Sequence, residues 1–190
     1  MKLRESGMPE ETYWESLFQV DVILERLRIG MQLRDCVELG CGYGTFSIPI
    51  ARAISGVLHS YDVDPVMVQR TTDRARTLGV LNLVCRKWDV FEEGFDVDPG
   101  SQSGCFLFNI LHGEDPVRML KQAAKVTAKG GSIYIIHWRH DPSTPRGPSL
   151  AIRPRPADCV QWGREAGLIA KETEVIDLPP YHYGIVLSLP

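Results

Sequence analysis

The order of apolar runs along the chain predicts an open α/β sheet of about seven strands. Most strands are expected parallel, the final one antiparallel, with helices on both faces. Three observations carry this. Short β-branched or apolar runs alternate with helical stretches of about ten residues or more, the rhythm that crossover helices impose on a parallel sheet. Asp-Pro pairs at 64–65 and 115–116 each read as a helix N-cap with proline in the first turn. The last two strand-like runs are separated by only a few residues, whereas a parallel crossover needs about a dozen.

The elements follow in order. Tyr13, Leu17, Val20, Leu24 and Leu27 share one face of a helix. Pro9 and Glu10-Glu11 suit its start, where the dipole favours negative charge. Cys36–Leu39 reads as a buried strand ending at Gly40, with a helix over 45–54 behind it. Val57–Tyr61, Leu83–Arg86 and Cys105–Phe108 are further strands, and Asp115-Pro116 opens a helix running to about Thr127. Lys129-Gly130-Gly131 closes that helix with a cation and glycines where the last carbonyls need partners. Ser132–His137 is a strand, Ala157–Ala166 a helix, Lys171–Ile176 a strand and Tyr183–Leu189 the final strand. Residues 1–32 form a helical cap segment and residues 33–190 the sheet domain. Within the sheet domain, Trp138 to Pro156 is a long connection with five prolines and four arginines, whose prolines favour an ordered loop.

Composition narrows the function classes. Lys plus Arg number 21 against 24 Asp plus Glu, a net charge of −3, which argues against a whole-molecule attraction to nucleic acid. No apolar run approaches the ~20 residues of a membrane span. The N-terminus is charged from its second residue and lacks the apolar core of a signal peptide. A cytoplasmic protein, monomer or homodimer, is expected. The five cysteines are scattered, odd in number and mostly inside apolar runs, so they read as reduced, buried thiols and not as metal ligands.

The segment VELGCGYGT (37–45) places Gly40, Gly42 and Gly44 between a strand and a helix. Glycines there permit a tight turn and a close approach of backbone to ligand, at the carboxyl edge where open α/β sheets bind. Asp62 ends the next strand, where a carboxylate can accept both hydroxyls of a ribose. That pair also fits a dinucleotide fold. Against it, Thr45 stands where a dinucleotide fingerprint wants glycine or alanine. Glu38 suits an amine or cationic ligand better than a pyrophosphate.

With these residues the sequence resembles the class I S-adenosylmethionine-dependent methyltransferases, from about Leu33 to Pro190. VELGCGYGT resembles the family's first motif, which implies cofactor contacts at Glu38, Gly40, Cys41, Gly42 and Gly44. YDVDP (61–65) resembles the second, with Asp62 on the ribose and Val63 beside it. KWDVF (87–91) resembles the third, with Asp89 on the adenine amino group and the Val90 backbone against its ring. FNILHGED (108–115), including Asn109, resembles the segment that lines the methionine and methyl-acceptor side. LKQAAKVTAKGGSIYII (120–136) resembles the following helix and strand, with Gly130 where the family usually has proline. The acid that often precedes strand four directly is displaced here to Asp96 and Asp98. The resemblance implies a Rossmann-like fold, S-adenosylmethionine as cofactor and no metal. No Asn/Asp-Pro-Pro-Tyr motif follows strand four, which argues against methylation of adenine or glutamine amino groups.

On the acceptor side, His112, His137, His140 and His182 fall at or just past strand ends on the edge expected to carry the cofactor. His112, His182 and His137 are candidate bases, and Tyr181 flanks His182. Each has a bland alternative as a loop or core residue. Tyr13 and Trp14 read as helix-core aromatics or as part of a lid. Arg139, Arg146, Arg153 and Arg155 could clamp a carboxylate or phosphate. Arg139, Arg153 and Arg155 are expected to meet an anionic acceptor near His112. A small-molecule acceptor is the leading expectation. RNA or protein methylation, or a non-catalytic S-adenosylmethionine-binding module, are the rivals.

Overall fold

Parallel pairing on both sides of the strand before the glycine loop builds the sheet outward. The computed structural model describes residues 8–170 and 175–190. Strand β1 (Cys36–Leu39) pairs in parallel with β2 (Leu58–Asp62) and with β4 (Gln102–Phe108). β3 (Leu83–Lys87) adds to β2, and β5 (Thr127–Trp138) adds to β4, both in parallel. β8 (His182–Ser188) then runs antiparallel to β5, with β6 (Ile169–Ala170) and β7 (Ile176–Leu178) antiparallel along its other side. The described residues form eight strands in the order β3-β2-β1-β4-β5-β8-β6, with β7 also on β8.

The alternation of side chains along each strand splits the core in two. On one face, Phe106, Tyr134, Ile136 and Trp138 pack with helices α1 (Glu11–Ser16), α2 (Val20–Arg26) and α3 (Ser47–Ala53) and with the end of α4 (Pro65–Thr77). On the other, Cys105, Leu107, Ile133 and Ile135 pack with α5 (Val90–Glu93), α6 (Pro116–Val126) and α7 (Pro156–Glu165). The Asp-Pro devices cap as expected. Asp64 accepts from the Val66 amide and Asp115 from the Arg118 amide. All five cysteines are free, four of them buried. No described helix is long and apolar enough to cross a membrane.

Two expectations change, and a third is mostly outside the described residues. The N-terminal helix is two helices, interrupted after Leu17 by Phe18 and Gln19. Phe18 leaves the helical path to stack on His182 and meet Phe46 edge-on, so tertiary burial overrides periodicity. Lys129-Gly130-Gly131 lies not at a helix end but inside the start of β5, where pairing jumps from Gln102–Thr127 to Gly104–Ser132. The surplus residues bulge out, with Gly130 at φ 81°. The strand expected over 171–176 lies mostly outside the described residues; β7 begins at Ile176. So do residues 1–7 of the cap segment. Its described part contributes Leu17, Phe18, Ile23, Leu24 and Leu27 to the same core as the sheet.

The connection from β5 to α7 is ordered around one side chain. Arg153, 8% exposed, donates through Nε and Nη2 to the Pro148 carbonyl at 3.0 and 2.7 Å. Its Nη1 donates to the Arg139 and Asp141 carbonyls at 2.9 and 3.2 Å and to the Thr144 hydroxyl. Gly147, at φ 125°, lets the chain pass: a Cβ there would sit 2.8 Å from Arg153 Nη2 and 2.9 Å from the Trp138 ring. Arg153→Leu is expected to lower the unfolding free energy by about 2–4 kcal/mol, because it strands several loop carbonyls. Urea unfolding with limited proteolysis of 140–152 measures this; wild-type stability with a protected loop would show that the prolines alone hold it.

Candidate active site

The carboxyl ends of β1 to β5 converge on one edge, and two carboxylates organise it. Asp62, last residue of β2, accepts the Gly42 amide on Oδ2 at 3.1 Å and the Asp64 amide on Oδ1 at 3.0 Å. It thereby ties the glycine loop to the loop after β2. Thr71 of α4 donates to the Gly42 carbonyl at 2.8 Å from below. Gly44, at φ 78°, closes the turn where a Cβ would come within 3.0 Å of Ile48 and 3.1 Å of Thr71. Glu38 is 2% exposed, and its Oε2 accepts hydroxyls from Ser60 of β2 (2.6 Å) and Ser47 of α3. Burial raises its pKa to about 7 despite the two hydroxyls, and the Asp62 charge adds to the rise. Asp62 is raised as well, again chiefly by burial.

Two adjoining cavities flank this pair and share Gly40, Asp62, Val63 and Ile110. One, of about 320 Å³, is lined by Glu38, Cys41, Gly42, Thr45 and Asn109, with Trp14, Phe46, Phe108, Trp138, His112 and Arg146 beyond them. The other, of about 420 Å³, is lined by Asp89, Val90, Phe91 and Arg118. Asp89 caps the short α5, accepting the Phe91 and Glu92 amides. Of the cofactor-side expectations, Glu38, Gly40, Cys41, Gly42, Asp62, Val63, Asp89, Val90 and Asn109 line one cavity or both; Gly44 lines neither and works by packing. A third cavity, about 510 Å³ beside Arg28, Ser103 and Lys129, opens at the opposite edge of the sheet, away from all of these residues.

The family described as a methyltransferase domain matches residues 36–131, half of the chain and both carboxylates. The chain belongs to that family. Its fold is that of solved S-adenosylmethionine-dependent methyltransferases. An S-adenosylmethionine-dependent methyltransferase from Aquifex aeolicus superposes with a TM-score of 0.80 at 18% identity, over 94% of this chain and 93% of that one. Geranyl diphosphate C-methyltransferase from Streptomyces coelicolor A3(2) gives 0.73 at 13% identity, over 100% and 89%. In sequence, the 23S rRNA (uracil(1939)-C(5))-methyltransferase of Tolumonas auensis is 28% identical over 154 residues, 80% of this chain. The chain spans 31% of that relative's length.

The residues expected on the acceptor side separate. His112 lines the 320 Å³ cavity, and its Nδ1 lies 3.3 Å from Nε2 of the fully buried His137. Burial lowers both pKa values, His137 the more strongly. His182 does not reach the cavity. It pairs with Trp138 across β5 and β8, stacks on Phe18 at 4.5 Å and is wholly buried, with its pKa pushed down to about 3 by burial. Tyr181 stacks on Trp138 at 6.4 Å without lining the cavity. His140 bonds within the loop, to the Leu150 carbonyl.

Nor do the three favoured arginines reach it. Arg139 donates to the Pro180 carbonyl and pairs with Asp177. Arg153 is spent on loop carbonyls. Arg155 flanks α7, its amide bonded to Asp158. Arg146 is the loop arginine at the cavity, delivered by the turn that Arg153 and Gly147 shape. Sequence reasoning placed Phe108 and Ile110 there only as part of the segment 108–115, and did not assign Thr45, Phe46, Trp138 or Pro148 to the wall. Position immediately after β1, β4 or β5 was the available signal for most of them.

The raised Glu38 pKa has a measurable sign. Its folded-state value lies above its ordinary 4.5, so the folded state holds an extra proton between there and about pH 7. The stability this confers is complete below the ordinary value and is lost as pH rises through about 7. Chemical denaturation of the ligand-free protein from pH 5 to 8 is expected to show this loss, up to about 3 kcal/mol at about 1.4 kcal/mol per unit. Glu38→Gln is expected to abolish it. An unchanged slope in that variant would place the titration elsewhere.

Proposed function

We propose that the enzyme methylates a small molecule with an apolar or aromatic body, held in the 320 Å³ cavity beside His112. The observation that carries this is the lining itself. Trp14, Phe46, Phe108, Ile110 and Trp138 make an apolar wall along a half-open cavity of ligand-site size. Around both cavities stand six carboxylates, Glu38, Asp62, Asp89, Glu92, Glu114 and Asp115, against two guanidiniums, Arg118 and Arg146. That balance opposes a phosphate backbone laid along the edge.

The residues present fit the cofactor. Asp62 keeps lone pairs for ribose hydroxyls while two backbone amides hold the carboxylate still. Asp89 and Val90 line the adjoining cavity and would meet the adenine. The buried Thr45 Oγ1 and Asn109 Oδ1 have no protein partner and line the same cavity as Glu38, a set suited to the charged amino-acid end. When bound, S-adenosylmethionine supplies a methyl group already activated by its sulfonium charge. The chain's own task is then to hold an acceptor in line and exclude water. The aromatic wall orients the acceptor's body. His112, kept neutral at physiological pH by its lowered pKa, stands ready to take a proton. Arg146 favours an acceptor that also carries negative charge.

Asp62→Ala is expected to weaken S-adenosylmethionine binding by about 1–3 kcal/mol, roughly ten- to a hundredfold, with the fold intact. Titration calorimetry checks it; wild-type affinity would remove Asp62 from the site. The likeness to the rRNA methyltransferase makes RNA the second reading. A metabolite extract is expected to stimulate S-adenosylhomocysteine release more than total RNA does. RNA binding whose affinity falls steeply with salt, accompanied by turnover, would reverse the assignment.

A further inference from the structure

We propose that the 510 Å³ cavity at the amino edge of the sheet is a second ligand site, which takes a small organic phosphate with an apolar body. It shares no lining residue with the two cavities at the carboxyl edge. The proposal is therefore independent of what the active edge methylates.

Two local devices build the cavity. Because β4–β5 pairing jumps from Gln102–Thr127 to Gly104–Ser132, residues 128–131 stand opposite Ser103 alone and leave the ladder. This bulge forms one wall, with Lys129 exposed on it. A second wall is the chain leaving α2, which turns at Arg28 with φ 55°. A left-handed arginine is uncommon and persists only where its surroundings hold it. Here the Gln32 side chain does so, donating to the Arg28 carbonyl. Ser103 ties the base of the cavity: its hydroxyl accepts the Arg34 amide at 2.7 Å and donates to the Asp35 carbonyl at 3.1 Å. Arg26 joins α2 to β7, its Nη1 reaching the Asp177 carbonyl at 2.5 Å and Asp177 Oδ2 at 3.2 Å.

Charge and burial then name the ligand. Among the described residues, three cations, Arg26, Arg28 and Lys129, line the cavity and no carboxylate does. The carboxyl edge has the reverse balance, so the two ends of the sheet differ in sign within a chain of net charge −3. Asp177 neutralises Arg26, whereas Arg28 and Lys129 form no ion pair with a described residue. The carbonyl end of α2 lies beside them, but a helix end is worth only about half a charge. Two uncompensated cations suit a dianion, the guanidinium taking two oxygens and the ammonium acting as a point charge. The rest of the wall is apolar, with Leu27, Leu33 and Tyr134 nearly buried and Val186 and Ile176 partly so. A bare inorganic ion would leave that surface wet. A ring or branched hydrocarbon would cover it, and the volume is that of a small-molecule pocket.

Phenyl phosphate is the probe, titrated into the full chain by calorimetry at low salt, with the Gly130 and Gly131 amide resonances followed by NMR. It is expected to bind about tenfold or more tightly than inorganic phosphate, phenol or the monoanion phenylacetate, and to shift both glycine signals. Arg28→Gln and Lys129→Gln are each expected to weaken it about five- to tenfold. Both side chains are exposed, so the variants keep the fold. Saturating S-adenosylhomocysteine, and Arg146→Gln at the other edge, are expected to leave the affinity unchanged. Absence of binding, equal affinity for inorganic phosphate or phenylacetate, or wild-type affinity in the Arg28→Gln/Lys129→Gln double variant overturns the proposal. Competition with S-adenosylhomocysteine, or loss of binding in Arg146→Gln, overturns it too, by moving the probe to the active edge.

Discussion

The bond from the Gly42 amide to Asp62 Oδ2 couples two loops that leave adjacent strands, and the arrangement of the active edge depends on it. Parallel pairing of β1 with β2 sets Leu39 opposite Tyr61, so the glycine turn and Asp62 leave the sheet at the same height. The carboxylate then anchors the turn, and the turn in return desolvates the carboxylate. Glu38, one layer deeper, repeats the theme with two hydroxyls in place of amides. Two acids held this close in a buried setting store electrostatic tension. A cationic ligand at this edge would relieve it.

The basic loop shows how a charge-rich segment can be directed inward. Arg153 satisfies carbonyls that a loop rich in proline would leave bare, since proline supplies no N–H and constrains its neighbours. Its guanidinium therefore acts as an internal scaffold and not as a ligand clamp. Arg139 is turned toward β7 by Asp177. The loop thus converts four similar residues into one structural core, one edge contact (Arg139), one helix-cap position (Arg155) and one cavity residue, Arg146.

Period-two alternation did the equivalent sorting among the histidines. His137 and Trp138 are neighbours in sequence yet face opposite sides of β5, as do Tyr183 and His182 on β8. One pair, Trp138 with His182, joins the aromatic cluster under α1 and α2. The other, His137 with Tyr183, faces α6 and α7, where the chain after β4 brings His112 within reach.

The sequence by itself determined the α/β alternation, the antiparallel close of the sheet, the two Asp-Pro caps and which residues after β1, β2 and β3 line the two cavities at the carboxyl edge. These are local matters: a glycine triplet at a strand end, a carboxylate at the next strand end and a proline in a helix's first turn act within a few residues of themselves. Where the first helix breaks, which residues bulge at 128–131, and which histidine and which arginine meet the cavity were decided only by the tertiary structure. Those outcomes depend on what packs across the sheet, on Phe18 against His182, on Arg153 against distant carbonyls and on the register of β5 with β8. A side chain's polarity is written in the sequence, but its partner is set by contacts between residues far apart along the chain.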